Sequence, residues 1–199
     1  MNDKPFAESC VQNRDPILAV LAEVFADRRR VLEIGSGTGQ HAVYFGAGLP
    51  HLVWQTADVP AHHPGILAWL IDAALPNVLP PLALEACQSG WRGGRYDAVF
   101  SANTLHIMGW PAVECFFAGV GAVLEPGGVL AVYGPFNYDG AFTSDSNARF
   151  DAWLKARDPA SGVRDFEAVD ALARAQGLVL QQDIAMPANN RSLVWRRPE

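Results

Sequence analysis

The sequence predicts a doubly wound α/β domain, in which helices cover both faces of a mostly parallel sheet. Short apolar runs alternate with helical segments, which is the pattern of repeated parallel β-α-β units. The first run leads directly into a glycine-rich turn, V-L-E-I-G-S-G-T-G-Q at residues 31–40. The last two runs are separated only by M-P-A-N-N-R. That connection is too short for a crossover helix, so these two strands must form an antiparallel hairpin.

The first half of the chain shows the alternation clearly. Asp15 can cap a first helix that Pro16 opens, because proline suits the first helical position. We then predict a strand at 31–34, a helix from Gln40 to Gly46 or Gly48, a strand at 52–57, a helix at 64–75 and a short strand at 82–84.

The second half continues the pattern through a buried strand at 96–101, where the residues after Asp97 form a continuous apolar run. Further elements are a helix at 111–124, a turn at Pro-Gly-Gly 126–128 and a strand at 129–133. A long aromatic-rich connection follows. Ser146 is a candidate cap for a helix to about residue 157, and Gly177 ends a second helix from 165 or 166 to 176. The predicted hairpin strands are 178–184 and 192–196.

Length and composition restrict both the domain count and the partners. The 199 residues suit a single domain over 1–199, and half of them are hydrophobic, as expected for a protein with a substantial core. The formal net charge of −6 provides no broad basic field, so nucleic acid is not an expected partner. No run reaches the roughly 18 apolar residues needed to cross a bilayer. The oligomeric state is left open.

The glycine turn points to a nucleotide-type ligand. Gly35, Gly37 and Gly39 leave no Cβ where the backbone turns and where a ligand must approach it closely. The dinucleotide fingerprint requires a glycine at position 40, which is Gln40 here, and an apolar residue is more usual than Glu33 before the turn. An NAD-dependent oxidoreductase is therefore the weakest of the alternatives.

An acidic residue two positions before the first glycine, followed by G-x-G-x-G, resembles the first motif of the class I S-adenosylmethionine-dependent methyltransferases. The stretches F-A-E-S-C, N-T-L-H-I-M, Y-G-P-F, F-T-S-D-S-N-A and M-P-A-N-N lie between Phe6 and Trp195. Together they are similar to an uncharacterised methyltransferase-like family found in bacteria and animals. The resemblance implies a Rossmann-like seven-stranded sheet of order 3-2-1-4-5-7-6 and S-adenosyl-L-methionine as cofactor.

Ligands of open α/β sheets bind beyond the carboxyl ends of the strands, which selects further residues. Asp58 ends the second strand 23 residues after Gly35, close to the spacing of an acid that binds ribose hydroxyls. Its alternative role is that of a turn residue before Val59. In the class I methyltransferases an acid or amide after the third strand accepts a bond from the adenine amino group. The resemblance places Glu85 at that position here. Glu85 is alternatively a solvated surface residue, and Ala86 is a candidate to pack on adenine.

The methionine part of the cofactor would lie near the first and fourth strands. Glu33 is expected to hold the ammonium group, unless the first helix neutralises its charge. Residues 1–14 form either a lid over the cofactor or an ordinary exposed terminus. In the lid, Asn13 and Arg14 would bind the carboxylate. The candidate cofactor-binding residues are Asn13, Arg14, Glu33, Gly35, Ser36, Gly37, Gly39, Asp58, Glu85, Ala86, Ala102 and Asn103.

Methyl transfer requires an acceptor held in line with the methyl group and, for many acceptors, a base. His106 is the candidate base because it directly follows the fourth strand; a structural role among apolar neighbours is the alternative. With it we assign Asn103 as catalytic. A candidate acceptor wall, or else a core edge beneath a loop, consists of Trp110, Tyr133, Phe136, Asn137, Tyr138 and Phe142.

The cysteines and histidines provide no metal site. Cys10, Cys87 and Cys115 lack ligand spacing, as do His62 and His63, and we expect Cys87 and Cys115 to be small buried residues. With no signal-peptide pattern, the expected location is cytoplasmic.

The sequence thus predicts an S-adenosylmethionine-dependent methyltransferase acting on a small-molecule acceptor, with O-methylation slightly favoured. The alternatives are a protein methyltransferase, which would need an open acidic groove, and a non-catalytic S-adenosylmethionine-binding interaction protein.

Overall fold

The computed structural model describes residues 4–88, 91 and 94–199. The helices are α1 (Glu8–Val24), α2 (Gln40–Gly48), α3 (His63–Ala73), α4 (Trp110–Val123), α5 (Asp145–Arg157) and α6 (Phe166–Ala175). The strands are β1 (Arg30–Ile34), β2 (Val53–Asp58), β3 (Val78–Ala83), β4 (Tyr96–Ala102), β5 (Leu124–Gly134), β6 (Phe136–Asn137), β7 (Arg164–Asp165), β8 (Val179–Met186) and β9 (Asn190–Arg196). Short 3₁₀ turns occupy Pro60–His62 and Pro187–Asn189.

Seven strands form one sheet in the order β3-β2-β1-β4-β5-β9-β8. The first five pair in parallel, whereas β9 is antiparallel to both β5 and β8. The two-residue strands β6 and β7 pair separately. Without that short pair the strand order is the predicted one, so the fold class and the closing hairpin are confirmed.

Apolar residues cover both faces of the sheet, and successive residues of β1 face opposite sides. Val31 packs with residues of α1 and α2, including Ile17 and Phe45. Leu32 packs on the other face with residues of α4 and α6, including Phe117. The sheet is therefore buried on both faces, and the free ends of its parallel strands remain for a ligand site.

The first helix differs from the prediction, because it begins at Glu8 and contains Pro16 in its interior. Proline removes one helical hydrogen bond, but the buried residues Asn13, Ile17 and Leu21 hold both halves of α1 against the domain. The backbone N–H of Ala7 donates to Gln40 Oε1 at 2.6 Å, which fixes the start of this helix. Residues 8–14 are therefore helical rather than a free terminus, and residues 1–3 of the expected lid lie outside the described residues.

Helix α2 ends at Gly48, which is one of its two predicted ends. Two other local predictions are wrong. Ser144, not Ser146, caps α5, because its hydroxyl accepts from the Asn147 N–H at 3.1 Å. The Pro-Gly-Gly sequence lies inside β5, where Gly127 has a φ of +75° and its N–H donates to the Arg197 carbonyl.

Cys87 and Cys115 form a disulfide, which the sequence did not predict. Cys87 is exposed and Cys115 half-buried, so neither is the small core residue that was expected. The bond ties the loop after β3 to α4. Within the described residues, no helix is both long and apolar enough to cross a membrane.

Candidate active site

The carboxyl ends of four parallel strands surround a cavity of about 380 Å³ beside the glycine turn. We call it the glycine-turn cavity. Its lining is Ala7, Ser9, Cys10, Ile34, Gly35, Ser36, Gly37, Thr38, His41, Asp58, Val59, His62, Leu84, Ala86, Ala102, Asn103, Thr104, Ile107 and Met108. Seven of the candidate residues therefore meet here: Gly35, Ser36, Gly37, Asp58, Ala86, Ala102 and Asn103.

The three glycines of the turn differ in the atoms that an added Cβ would contact. All have positive φ, at +76° for Gly35, +57° for Gly37 and +90° for Gly39. A Cβ on Gly35 would lie 2.7 Å from Thr104 Oγ1, whereas one on Gly37 would meet nothing within 4 Å. A Cβ on Gly39 would lie 3.0 Å from the Cα of Ile66 in α3. Gly39 thus allows helix packing, and Gly37 provides the open face toward the cavity.

The carboxylate of Asp58 is buried and already holds several donors. Its Oδ2 accepts from the Gly37 N–H at 2.6 Å, and its Oδ1 is 2.7 Å from the Val59 N–H and 2.9 Å from His62 Nδ1. A carboxylate has about four acceptor positions. One position remains on Oδ2, and exchange of the exposed His62 ring would free a second.

Glu33 lies behind the glycine turn and does not line the cavity. Its Oε2 accepts from Ser36 Oγ at 2.9 Å and from Trp54 Nε1 at 3.1 Å. Burial raises the pKa of this carboxyl to about 7, and the nearby Asp58 charge acts in the same direction against those two bonds. Both of these hydrogen-bond donors, Ser36 and Trp54, lie outside α1.

The N-cap residue Ala7 and the first turn of α1, through Ser9 and Cys10, cover part of the glycine-turn cavity. Asn13 lies deeper, where its Oδ1 is 2.7 Å from Nε2 of the cavity residue His41. Burial lowers the pKa of His41 to about 4, so Oδ1 accepts from a neutral ring. Arg14 points elsewhere, with its guanidinium 4.4 Å from the Tyr44 ring centroid.

A second cavity of about 620 Å³ adjoins the first, and we call it the His106 cavity. It is lined by Ser9, Gln12, Asn13, Asn103, His106, Ile107, Tyr133, Pro135, Ser146, Asn147, Phe150, Trp153, Leu154, Pro187, Ala188 and Asn190. Ser9, Asn103 and Ile107 line both cavities. Asn103 has a φ of +56°, a conformation that asparagine tolerates better than most residues, and its N–H donates to the Tyr133 carbonyl.

His106 faces this second cavity from the loop that follows β4. Its ring is buried and packs edge to face on Phe150, with 5.2 Å between centroids. Burial, with a smaller contribution from the Arg164 charge, lowers the pKa of His106 to about 4. The imidazole is therefore neutral at physiological pH and able to accept a proton.

The aromatic wall of the second cavity is mostly not the predicted one. Of the predicted wall residues, only Tyr133 lines it. Phe136 is in the core, the Tyr138 hydroxyl donates to Asp183 at 2.8 Å, and Phe142 is exposed. Asn137 is buried below the loop and Trp110 packs on the core.

The actual wall comes from α5. Phe150 and Trp153 stack with 5.8 Å between centroids, and Leu154 lies beside them. Their spacing of three and four residues is a helical stripe, which was the available signal in the sequence. The hairpin turn at Pro187, Ala188 and Asn190 supplies the opposite side.

Glu85 is exposed and does not line the glycine-turn cavity, although its neighbour Ala86 does. Across the part of the chain that the structure describes, no group of three or more His, Cys, Asp or Glu side chains could hold a metal ion.

Comparisons with known proteins agree with this architecture. The model of a family described as "Protein of unknown function (DUF938)" matches residues 4–197. An O-methyltransferase family protein from Burkholderia thailandensis superposes with a TM-score of 0.85 at 18% identity, over 96% of this chain and 58% of that one. An O-methyltransferase family 2 protein from Planctomyces limnophilus, in complex with apigenin, gives 0.75 at 15% identity, over 92% and 61%.

Human N-acetylserotonin methyltransferase, in complex with SAM, has a TM-score of 0.76 at 14% identity, over 96% of this chain and 53% of that one. The chain thus spans a little more than half the length of these proteins. At such identities the likeness confirms the Rossmann-like methyltransferase fold.

Proposed function

The chain belongs to the family described as protein of unknown function DUF938, and we propose that it is an S-adenosylmethionine-dependent methyltransferase. We propose a small, uncharged acceptor that is methylated on oxygen. The observation that carries this proposal is the meeting of the two cavities at Asn103. One cavity has the residues for a nucleoside, and the other has a neutral histidine. Two ligands bound there would face each other across Asn103 and the other two shared residues, Ser9 and Ile107.

The residues of the glycine-turn cavity fit S-adenosylmethionine. Gly37 leaves its side of the cavity open, and Asp58 has acceptor capacity left for a ribose hydroxyl. Leu84, Ala86 and Met108 provide an apolar surface for adenine. S-adenosylmethionine supplies a methyl group that its sulfonium already activates. Support also comes from the human relative, which was solved in complex with SAM.

We place the methionine end near α1. Ser9, Thr38 and His41 line that side and offer polar groups to the ammonium and carboxylate. In this proposal Glu33 acts through Ser36, and Asn13 acts by holding His41. A lid stays part of the proposal for the described residues 4–14, supported by Ala7, Ser9 and Cys10, which line the cavity. Arg14, which lies over Tyr44, is omitted from it.

The His106 cavity suits an uncharged acceptor with a flat apolar part. Among the described residues that line it there is no Asp, Glu, Lys or Arg. The stacked rings of Phe150 and Trp153 offer a planar surface, and several amides offer both donors and acceptors. A hydroxyl on such a molecule would lose its proton to the neutral His106 ring. The bound apigenin of the Planctomyces protein, a phenol, is consistent with this chemistry.

A basic peptide is a poorer acceptor for this site, because the cavity offers no carboxylate to bind lysine or arginine. That lining is the reason for ranking protein methylation below small-molecule methylation.

Calorimetry tests the cofactor part of the proposal. S-adenosylhomocysteine should bind the wild type, and Asp58→Ala should weaken it by about 10- to 100-fold, as expected for the loss of a charged hydrogen-bond partner. Asp27→Ala is the matched control, because Asp27 is exposed, pairs with its neighbour Arg28 and lines neither cavity. Equal binding by wild type and Asp58→Ala would remove Asp58 from the site. No binding by the wild type would refute the methyltransferase proposal.

The acceptor part is tested by methyl transfer from labelled S-adenosylmethionine to apigenin and to matched panels of phenols, amines and thiols. We expect transfer to phenols first. Transfer only to amines or thiols would show that the methylated atom is nitrogen or sulfur rather than oxygen.

A further inference from the structure

Four successive backbone carbonyls of the loop after β4 are bonded to one segment, residues 160–164. Arg164 Nε donates to the Leu105 carbonyl at 3.1 Å, and the Gly162 N–H donates to the His106 carbonyl at 2.9 Å. Ser161 Oγ donates to the Ile107 carbonyl at 3.1 Å, and Arg164 Nη2 donates to the Met108 carbonyl. The outer side of this loop is therefore held at every residue from 105 to 108.

Arg164 is suited to this contact because its planar guanidinium presents donors in a fixed fork. Its Nε and Nη2 bond to carbonyls three residues apart in the loop, and Nη2 also donates to the Ala160 carbonyl at 2.9 Å. None of the three acceptors is a carboxylate. A half-buried arginine bonded to three backbone carbonyls fixes a loop shape, which a single ammonium group cannot do in the same way.

The clamp segment is itself anchored to α5. Asp151 is buried there, and its Oδ1 accepts from the Val163 N–H at 2.9 Å while Oδ2 accepts from Lys155 at 2.7 Å. A Cβ on Gly162 would lie 2.9 Å from Asp151 Oδ1, so glycine permits this close approach. The same helix carries Phe150, which packs on the His106 ring. The backbone and the ring of His106 are thus fixed from one helix.

Neither Arg164 nor any residue of 160–163 lines the two cavities, whereas the loop lines both. We propose that Arg164 is a positioning residue that, with Ser161 and Gly162, holds residues 105–108 so that His106 and Ile107 keep their places between the two ligands. This inference rests on the proposed function for its catalytic meaning. The clamp itself is a property of the loop that can be measured without substrate.

The guanidinium also affects the His106 ring electrostatically. Its positive charge disfavours imidazolium and adds to the effect of burial on the pKa of His106. Tyr133 on β5 lines the same cavity, and burial raises its pKa. Asp151 on α5 acts on Arg164, where its charge opposes the effect of burial on the guanidinium pKa. Replacing Arg164 by a neutral residue should therefore raise the pKa of His106.

Two variants separate geometry from charge. Arg164→Lys keeps the charge and loses the fork, whereas Arg164→Met loses both. Hydrogen exchange of peptides covering 104–109 should accelerate at least about tenfold in both variants, since charged hydrogen bonds are lost. The Ile107 amide, which donates to Thr104, is the internal reporter. Arg149→Met, on the exposed side of α5, should leave the exchange unchanged.

An imidazole NMR titration provides a readout that a general loss of stability would not move. The His106 resonance should titrate at higher pH in Arg164→Met and close to the wild-type value in Arg164→Lys. Wild-type exchange rates together with an unchanged titration in both variants would overturn the proposal. If the Arg164 variants do not fold, Ser161→Ala removes only the bond to Ile107 and should still accelerate exchange of that amide.

Calorimetry with S-adenosylhomocysteine keeps the two proposals distinct. We expect both Arg164 variants to bind it measurably but more weakly than the wild type, because Ile107 and Met108 also line the glycine-turn cavity, while kcat with an identified acceptor falls about 10- to 100-fold through misplacement of the base. Failure of the wild type to bind would refute the methyltransferase proposal and leave the exchange result to decide the clamp.

Discussion

The two cavities that meet at Asn103 are built in different ways. The glycine-turn cavity is formed chiefly by the ends of neighbouring strands and by backbone with positive φ, so its shape follows from the sheet. The His106 cavity is formed by side chains of α1, the loop after β4, β5, α5 and the hairpin turn, which are far apart in the chain. The shape of the glycine-turn cavity is therefore fixed mainly by backbone. The shape of the His106 cavity depends on packing among separate elements, so side-chain substitutions alone can change it.

The sharpest test of this division is His106→Gln. Loss of the proposed base should lower turnover by about 10²- to 10⁴-fold. Affinity for S-adenosylhomocysteine should stay at the wild-type value, because His106 does not line the glycine-turn cavity. His51→Gln is the control, since His51 bonds to the Phe25 carbonyl and lines neither cavity. Full activity in His106→Gln would assign the histidine a structural role, and loss of turnover with retained binding would exclude a purely non-catalytic protein.

The contribution of Glu33, which lies behind the glycine turn, to the free energy of unfolding should depend on pH. Its pKa is raised in the folded state from 4.5 to about 7, so its contribution to stability is fully present below pH 4.5 and is lost as pH rises through 7. Between pH 5 and 9 the wild type should therefore lose about 3 kcal/mol of unfolding free energy more than Glu33→Gln.

Urea denaturation at pH 5, 7 and 9 measures this difference. His41 and His106, with lowered pKa values, lose their contribution as pH falls below 6.5, but equally in both proteins. The exposed Glu85→Gln should follow the wild type, and parallel curves for Glu33→Gln and wild type would show that Glu33 titrates normally.

Gly35→Ala tests whether the glycine-turn cavity is fixed by backbone. Alanine at φ +76° costs about 1–2 kcal/mol, and its Cβ would displace Thr104 in addition. Gly140→Ala is a matched control, because Gly140 has a φ of +71° with nothing within 4 Å of an added Cβ. We expect Gly35→Ala to unfold at a lower urea concentration than Gly140→Ala. Of the two variants, only Gly35→Ala should weaken S-adenosylhomocysteine binding, by at least about tenfold. Equal behaviour of both variants would contradict the close packing of this turn.

The smallest effect is expected at the aromatic wall. Trp153→Leu should raise the KM of a planar acceptor about two- to tenfold, in line with the loss of one stacking contact, and leave cofactor binding unchanged. Phe142→Leu changes a residue of the wall that the sequence predicted, and it should have no effect because Phe142 does not line the cavity. The opposite result would favour the predicted wall over the observed one.

The difference between the cavities also explains what the sequence could predict. Asp58, Ala102 and Asn103 were identified because the carboxyl ends of parallel strands must share one edge of the sheet. The sheet order was correct because the resemblance to the class I methyltransferases implied it. The closing hairpin was correct because its connection is too short for a crossover helix.

Residues on helices were harder to place, because the helical phase was unknown. Asn13 and Arg14 are adjacent and lie about 100° apart around α1, so only one of them can face the domain. Asn13 faces inward toward His41, and Arg14 packs over Tyr44. The hairpin turn also lines the His106 cavity, which the sequence did not predict. Asn147 Nδ2 on α5 donates to the Asn189 carbonyl in that turn, and no local pattern encodes a bond across 42 residues.

The Cys87–Cys115 disulfide makes this chain sensitive to the thiol content of its medium. It closes a loop with a sequence separation of 28, for which chain-entropy arguments give about 3–4 kcal/mol of stabilisation against the unfolded ensemble. Ala86, next to Cys87, is part of the wall where adenine would rest. Dithiothreitol in a preparation would thus loosen one side of the glycine-turn cavity, and measurements made with and without it describe two chemically different proteins.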